Sequence, residues 1–333
     1  MNEFRFAEVD VQYGSGRQAM KAVDQVSLVV PAGKVVGLVG ESGSGKSTLA
    51  RAAVGLAPIS AGQVLLDGVD VRKARRRGLP PPIQLIFQDP SSALDPRMSV
   101  GASIAEAIPR PVRRNRATRQ AEVARLLELV GLDPDRMAML PGLLSGGQRQ
   151  RVAFARALAA RPSVLIADEV TSALDVSVQG GVLNLMRDLQ SRLGLSMLFI
   201  SHNLAVVRYI SDYIAVMYLG RIVEAGPVDE VLKDPRHPYT RELFDAAPHR
   251  NVQSTLLDDE MPAELATVEP PDPHQPPPGC RFHTRCPVGP LLRTDRDLCV
   301  QADPQAAAAE RAHQAACHFA DSPAGSPAES AIK

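Results

Sequence analysis

Apolar and polar positions alternate with period two in "FRFAEVDVQY" (4–13), "QVSLVV" (25–30) and "GQVLLDGVDV" (62–71). Glycine-containing turns accompany these segments, and together they predict a small, partly antiparallel sheet. A different texture starts at "KVVGLV" (34–39) and returns at "PIQLIFQ" (82–88), "SVLIAD" (163–168) and "SMLFIS" (196–201). These runs do not alternate, which fits strands buried on both faces of a parallel sheet. "STLARAAVGL" (47–56) reads as helix, and the patterns from about 98 to 160 are mainly helical, clearest in "RQAEVARLLELVGL" (119–132). In "LLSGGQRQRVAFARAL" (143–158) Val152, Ala155, Leu158 and Ala159 share one helical face, and Pro162 stops it.

After about residue 248 the texture changes. "EPPDPHQPPPG" (269–279) is a proline-rich connector that forms neither helix nor central strand. "ADSPAGSPAESAIK" (320–333) has the composition of a disordered tail. No internal repeat is visible.

The chain of 333 residues is long enough for more than one domain. Its apolar (45%) and charged (22%) content is that of a soluble globular protein. The formal net charge of zero recruits neither nucleic acid nor an anionic membrane. The basic runs "RKARRR" (72–77) and "RRNR" (113–116) read as solvated loop charge. No apolar stretch approaches the ~20 residues of a membrane span. The opening "MNEFRFAEVD" lacks the layout of a secretory signal, so a cytosolic protein is expected.

"GESGSGKST" (40–48) matches the full phosphate-loop pattern from Gly40 to Gly45, Lys46 and Ser47. The glycines let successive N–H groups point at one phosphate chain, Lys46 adds a point charge, and the Ser47 hydroxyl can ligate magnesium. "VLIADE" brings Asp168 to a strand end, where it can hold the magnesium shell, and Glu169 beside it can polarise an attacking water. His202 and Gln88 end two further apolar strands, so four strand ends converge on the edge where open parallel sheets bind ligands. A second anion cradle, at Ser145, Gly146 and Gly147, opens the helix that follows "LLSGG".

In order along residues 1–247, these motifs resemble the nucleotide-binding subunit of an ATP-binding cassette transporter. Tyr13 matches the residue that stacks on adenine; "GESGSGKST", Gln88, "LSGGQ" (144–148), "VLIADE", "SALD" (172–175) and His202 follow as the family's successive motifs. The resemblance implies an α/β phosphate-loop core with a small antiparallel β subdomain and an α-helical subdomain at about 90–160. It implies ATP bound by Tyr13, Gly40, Ser42, Gly43, Ser44, Gly45, Lys46, Ser47 and Thr48, with magnesium on Ser47, Gln88 and Asp168. Glu169, His202 and Gln88 take the catalytic roles. Two ATPase subunits pack head to tail in this family. Ser145, Gly146, Gly147 and Gln148 would therefore serve the partner's nucleotide, with Asp175 at the seam. That accounts for two cradles in one chain.

"LIFQDPSSALDPRMSVG", "LAVVRYISD", "MYLGRIVEAG" and "HPYTRELFDAAP" narrow the resemblance to the ATPases of bacterial dipeptide and oligopeptide importers, most like the second of two ATPase subunits. The implied partners are a non-identical ATPase subunit, two permeases and, indirectly, an extracytoplasmic binding protein, with no nucleic acid. The implied place is the cytoplasmic face of the membrane, held peripherally by the permeases. A nickel or other small-solute importer is the alternative, and a non-transport cassette ATPase a more distant one. Three positions depart from the family pattern: Val170 where proline is common, Asn203 for an aspartate, and Leu143 before the signature. None removes a catalytic group.

Residues 248–333 then form a C-terminal extension holding all four cysteines, Cys280, Cys286, Cys299 and Cys317. Disulfides do not suit a reducing cytosol. Four separate buried thiols, a zinc site and a [4Fe–4S] cluster remain, although no pair has the close spacing zinc prefers. The similar extension of peptide-importer ATPases is associated with such a cluster, and the resemblance therefore favours iron–sulfur in a structural role.

Overall fold

The computed structural model describes residues 3–14, 16, 19–73, 80–89, 93–172, 174–246, 271–272, 275–304 and 313–320. Ala173 of "SALD", most of the basic run at 72–77, the proposed boundary at 247/248 and nearly all of the 320–333 tail lie outside the described residues.

Two sheets form the framework. In the smaller, β1 (Phe4–Tyr13), β2 (Met20–Val30), β4 (Ile59–Leu66) and β5 (Val69–Asp70) pair antiparallel in the order β2-β1-β4-β5. Its alternating sequences bury one face: Phe4, Phe6, Val30 and Val64 are inaccessible to solvent.

The larger sheet has the order β11-β10-β9-β3-β8-β7-β6. Its strands are β3 (Val35–Val39), β6 (Ile83–Ile86), β7 (Val164–Asp168), β8 (Ser196–Ile200), β9 (Tyr213–Tyr218), β10 (Arg221–Pro227) and β11 (Gln314–Ala315). From β9 to β6 the pairing is parallel throughout. Every residue of β3, β7 and β8 is buried, because both faces of these strands are covered, and that is why their sequences do not alternate.

Helix α1 (Lys46–Ala53) follows β3 through the glycine loop. A helical layer contains α2 (Val100–Ala107), the single turn α3 (Arg110–Arg113), α4 (Arg116–Leu129) and α5 (Gly146–Ala159). Local caps start them: Ser99 Oγ accepts from Ala102 N–H at 3.2 Å, and Asn115 Oδ1 from Thr118 N–H at 3.0 Å. The predicted apolar face of α5 is buried, with Val152 and Ala155 fully covered. Then come α6 (Val176–Leu193), α7 (Leu204–Ile210), α8 (Val228–Lys233), α9 (Pro238–Asp245) and the single turn α10 (Leu298–Gln301).

The extension, expected to be irregular, contributes two short regular elements among its described residues, the single turn α10 and the strand β11. β11 pairs antiparallel with β10, Glu224 opposite Ala315 and Ala225 opposite Gln314. It covers peptide groups that an edge strand leaves exposed. Phe282 and Cys286 belong to the same hydrophobic cluster as Tyr218 and Tyr239, so the extension shares a core with the larger sheet.

Candidate active site

Parallel pairing brings the strand ends level. Leu38 of β3 and Asp168 of β7 both lie opposite Ile200 of β8, and Ile86 of β6 lies opposite Ala167. The residues that follow, Gly40, Glu169, His202 and Gln88, therefore sit along one edge. Gly40 has φ of +153°, and a Cβ there would lie 2.1 Å from the Met217 carbonyl oxygen, so no other residue fits.

Within the loop, Lys46 Nζ donates to the carbonyls of Gly40 at 2.9 Å and Glu41 at 2.7 Å, and to Ser44 Oγ at 3.2 Å. Burial pulls its pKa below the ordinary lysine value, against the opposing charges of Glu169, Asp168 and Glu41. Ser47 Oγ donates to Asp168 Oδ1 at 2.9 Å. Burial pushes the Asp168 carboxyl up from its ordinary value, and the Ser47 hydrogen bond works in the opposite sense. Two hard oxygens from distant segments thus face each other, a donor set suited to magnesium.

Glu169 adopts a left-handed backbone with φ of +48°, sparsely populated for a residue with a side chain. Its N–H donates to the Ile200 carbonyl at 3.0 Å, anchoring the turn on β8. His202 Nδ1 lies 3.5 Å from Glu169 Oε1, with the imidazole 64% exposed and the carboxylate 21%. Gln88 Nε2 donates to Ser172 Oγ at 3.2 Å, and Ser172 Oγ donates to the Glu169 carbonyl at 2.8 Å. Ser172 thus links two site residues, and its role was not read from the sequence. Tyr13 closes β1 opposite Met20 and is 37% exposed.

The signature segment carries an unanticipated local device. Ser145 Oγ accepts from Gln148 N–H at 3.3 Å while Gln148 Oε1 accepts from Ser145 N–H at 3.0 Å. This capping box engages Ser145 and Gln148 with each other. The N–H groups of Gly146 and Gly147 are the first two of α5, which have no carbonyl partner within the helix. A Cβ on Gly147 would come within 2.5 Å of Val178 Cγ1, so α5 starts in close contact with α6. Asp175 stands at the N-cap of α6 without a side-chain cap bond.

Of the three departures from the family pattern, one has a local role in the structure. Asn203 caps α7, its Oδ1 accepting from Ala205 N–H at 3.0 Å and Val206 N–H at 3.3 Å. Val170 is buried in the main core, and Leu143 is exposed.

All four thiols line one small cavity together with His237, Phe282, His283, Val288, His318 and Phe319, and none is in a disulfide. Burial pushes Cys280 up to about 11 and Cys286 up to about 12, and raises Cys299 and Cys317 as well. Among the described residues no group of three or more His, Cys, Asp or Glu is placed to hold one metal ion. The expectation of a metal centre is therefore not supported by this arrangement: the thiols line one cavity, but they do not close on a single ion. Nor is any helix among the described residues long and apolar enough to cross a membrane.

The profile of the ABC transporter family matches residues 23–172, and that of the oligopeptide/dipeptide transporter C-terminal region matches 223–289. The di/tripeptide transport ATP-binding protein DppF of Pseudomonas aeruginosa is 42% identical over 320 residues, covering 95% of each chain. Among solved structures, a dimeric ATP-binding cassette in a post-hydrolysis state with ADP and Pi superposes with a TM-score of 0.58 at 26% identity, over 68% of this chain and 98% of that one. The cbiO1 subunit of a Clostridium perfringens ABC transporter complex gives 0.58 and 26% over 69% and 90%. The strand-edge site, its order of motifs and these matches agree: the chain belongs to the ABC transporter ATPase family, in the group carrying the oligopeptide/dipeptide transporter C-terminal region.

Proposed function

We propose that the chain is the ATP-hydrolysing subunit that drives import of di- and oligopeptides, acting as half of a head-to-tail ATPase pair. The observation that supports this most is the single edge where the glycine loop, the Ser47–Asp168 pair and the Glu169–His202 pair meet. Triphosphate lies along the loop at Gly40 and at Ser42, Gly43, Ser44, Gly45, Lys46, Ser47 and Thr48, with Lys46 on the terminal phosphates and Tyr13 against adenine. Magnesium, when held by Ser47, Asp168 and Gln88, offsets phosphate charge. Glu169 accepts a proton from water as the water oxygen bonds the γ-phosphorus. The bond from that phosphorus to the β,γ-bridging oxygen breaks, leaving ADP and phosphate. His202 steadies the γ-phosphate.

Gly146 and Gly147 at the head of α5, with Ser145 and Gln148 shaping the turn, meet the nucleotide of the partner subunit. Asp175 lies at the seam. ATP closes the pair, and loss of the γ-phosphate lets it part. The dimeric cassette solved with ADP and Pi supports pairing, and the likeness to DppF supports a di- or tripeptide cargo. The partners are a second, non-identical ATPase subunit, two permeases and an extracytoplasmic binding protein. The chain sits peripherally on the cytoplasmic face of the membrane, and residues 1–247 and 248–333 act as engine and extension.

The four thiols suit a [4Fe–4S] cluster. Cys280, Cys286, Cys299 and Cys317 would be the residues that hold it. Such a group would give the short, proline-rich segment a centre to fold around.

Reconstitution of the chain with its permeases and second ATPase in liposomes tests the reading. ATP-dependent uptake of a labelled dipeptide, lost with Glu169→Gln, is expected. Uptake that proceeds without this chain would overturn it.

A further inference from the structure

Glu41, the second residue of the phosphate loop, is held from outside the loop by the last third of the chain. Its N–H donates to Tyr239 Oη at 2.9 Å, and its carboxylate Oε1 lies 3.5 Å from Arg285 Nη1. Its carbonyl receives Lys46 Nζ at 2.7 Å, so the residue gripped by α9 and the extension also seats the loop lysine. Arg285 is fixed in turn by Glu242 of α9, at 2.5 Å. It lines one pocket with Glu41, Ser42, Gly43 and Ser44.

Packing joins this contact to the cysteine cavity. Tyr239 is fully buried, with ring centroids 4.5 Å from Tyr218 and 5.6 Å from Phe282. Phe282 and Tyr218 meet edge to face at 5.4 Å. Phe282 also lines the thiol cavity, and Arg285 directly precedes Cys286. An unbroken set of rings and one ion pair therefore runs from the cavity to the phosphate loop.

We propose that Tyr239 and Arg285 are positioning residues for ATP, through which the cysteine-bearing extension sets the nucleotide affinity of the phosphate loop. Two physical effects act together. Tyr239 fixes the Gly40–Glu41 peptide group, and with it the Gly40 carbonyl that accepts from Lys46 Nζ at 2.9 Å. Arg285 pairs with the Glu41 carboxylate beside the loop and neutralises a charge that would repel phosphate. The inference rests on the reading of residues 40–48 as the ATP cradle.

Titration of the full-length chain with MgATP by calorimetry tests it, with thermal melting run in parallel. Arg285→Gln should weaken binding about five-fold, the lower range of coupling between sites, while Arg285→Lys stays near wild type. Adding Glu41→Gln to Arg285→Gln should restore affinity to within about two-fold, because the unpaired carboxylate is then gone. Tyr239→Phe keeps the ring packing and should weaken ATP about three- to ten-fold, the scale of an unpaired buried donor. This variant tests the proposal even where Arg285→Gln does not fold. In the assembled transporter the loss should appear in KM with kcat unchanged. Unaltered ATP affinity in Tyr239→Phe, or no recovery in the double variant, would overturn the proposal. Lys46→Ala is the reference: if it too leaves binding unchanged, the cradle reading fails and not the positioning role.

Discussion

The Ser47 hydroxyl donates to the Asp168 carboxylate at 2.9 Å, joining the phosphate loop to the end of β7 across 121 residues of sequence. Two oxygens held that close by separate segments form the divalent-ion site of the proposed mechanism. Ser47→Ala should raise the magnesium concentration for half-maximal ATPase on the order of ten-fold, the scale of losing one positioned group around a metal. Magnesium titration of the assembled transporter checks it; an unchanged midpoint places the ion elsewhere.

The head of α5 makes a separable prediction. Ser145→Ala removes the capping box and should cost about 1 kcal/mol, read as a lower Tm. Gly147→Ala sets a Cβ 2.5 Å from Val178 and should move α5 from α6. In both variants ATP-driven pairing with the second ATPase should weaken, while nucleotide binding by the isolated chain persists. Light scattering with and without MgATP distinguishes the two properties, and normal pairing in both variants would remove the signature from the interface.

Much of this site is legible in the sequence, and the exceptions have physical reasons. "SVLIAD" and "SMLFIS" read as strands because burial on both faces leaves an unbroken apolar run, and the polar residues that end them mark the edge. Ser145 and Gln148 stand at capping-box spacing, yet a reading centred on phosphate passes over their bond to each other. The contacts of Glu41 with Tyr239 and Arg285 span 198 and 244 residues, and no local pattern encodes a pairing at such distance. β11 is only two residues long, too short to show any period; the edge of β10 creates it.

The proposed [4Fe–4S] cluster predicts a colour. Anaerobic purification should yield brown protein absorbing near ~400 nm with about four irons per chain. Colourless protein with stoichiometric zinc would replace the cluster with an ion. Metal-free protein with four titratable thiols and unchanged stability would remove both.

Asp24 on β2 predicts the acid response. Burial alone would push its carboxyl up, but hydrogen bonds from Lys21 and Arg221 and the charge of Arg281 outweigh burial and hold it below its ordinary value. Its stabilising contribution is therefore complete above the ordinary carboxylate pKa of about 3.9 and is lost as pH falls from there through the lower folded value. Arg281 belongs to the extension, so acid should loosen that segment from the small sheet. Urea melts across this window should show a shallower pH dependence in Asp24→Asn than in the wild type. Equal slopes would assign the acid response to other groups.

The central claim is that Glu169, strained at the end of β7 and 3.5 Å from His202, activates the water that attacks ATP. Its most direct test is the ATPase rate of Glu169→Gln assembled with the second ATPase subunit and the permeases, with ATP binding measured on the same sample. The account predicts retained binding and a rate lowered by about 10²- to 10⁴-fold, the scale of one well-placed acid–base group. Near-normal turnover in that assembly would contradict it.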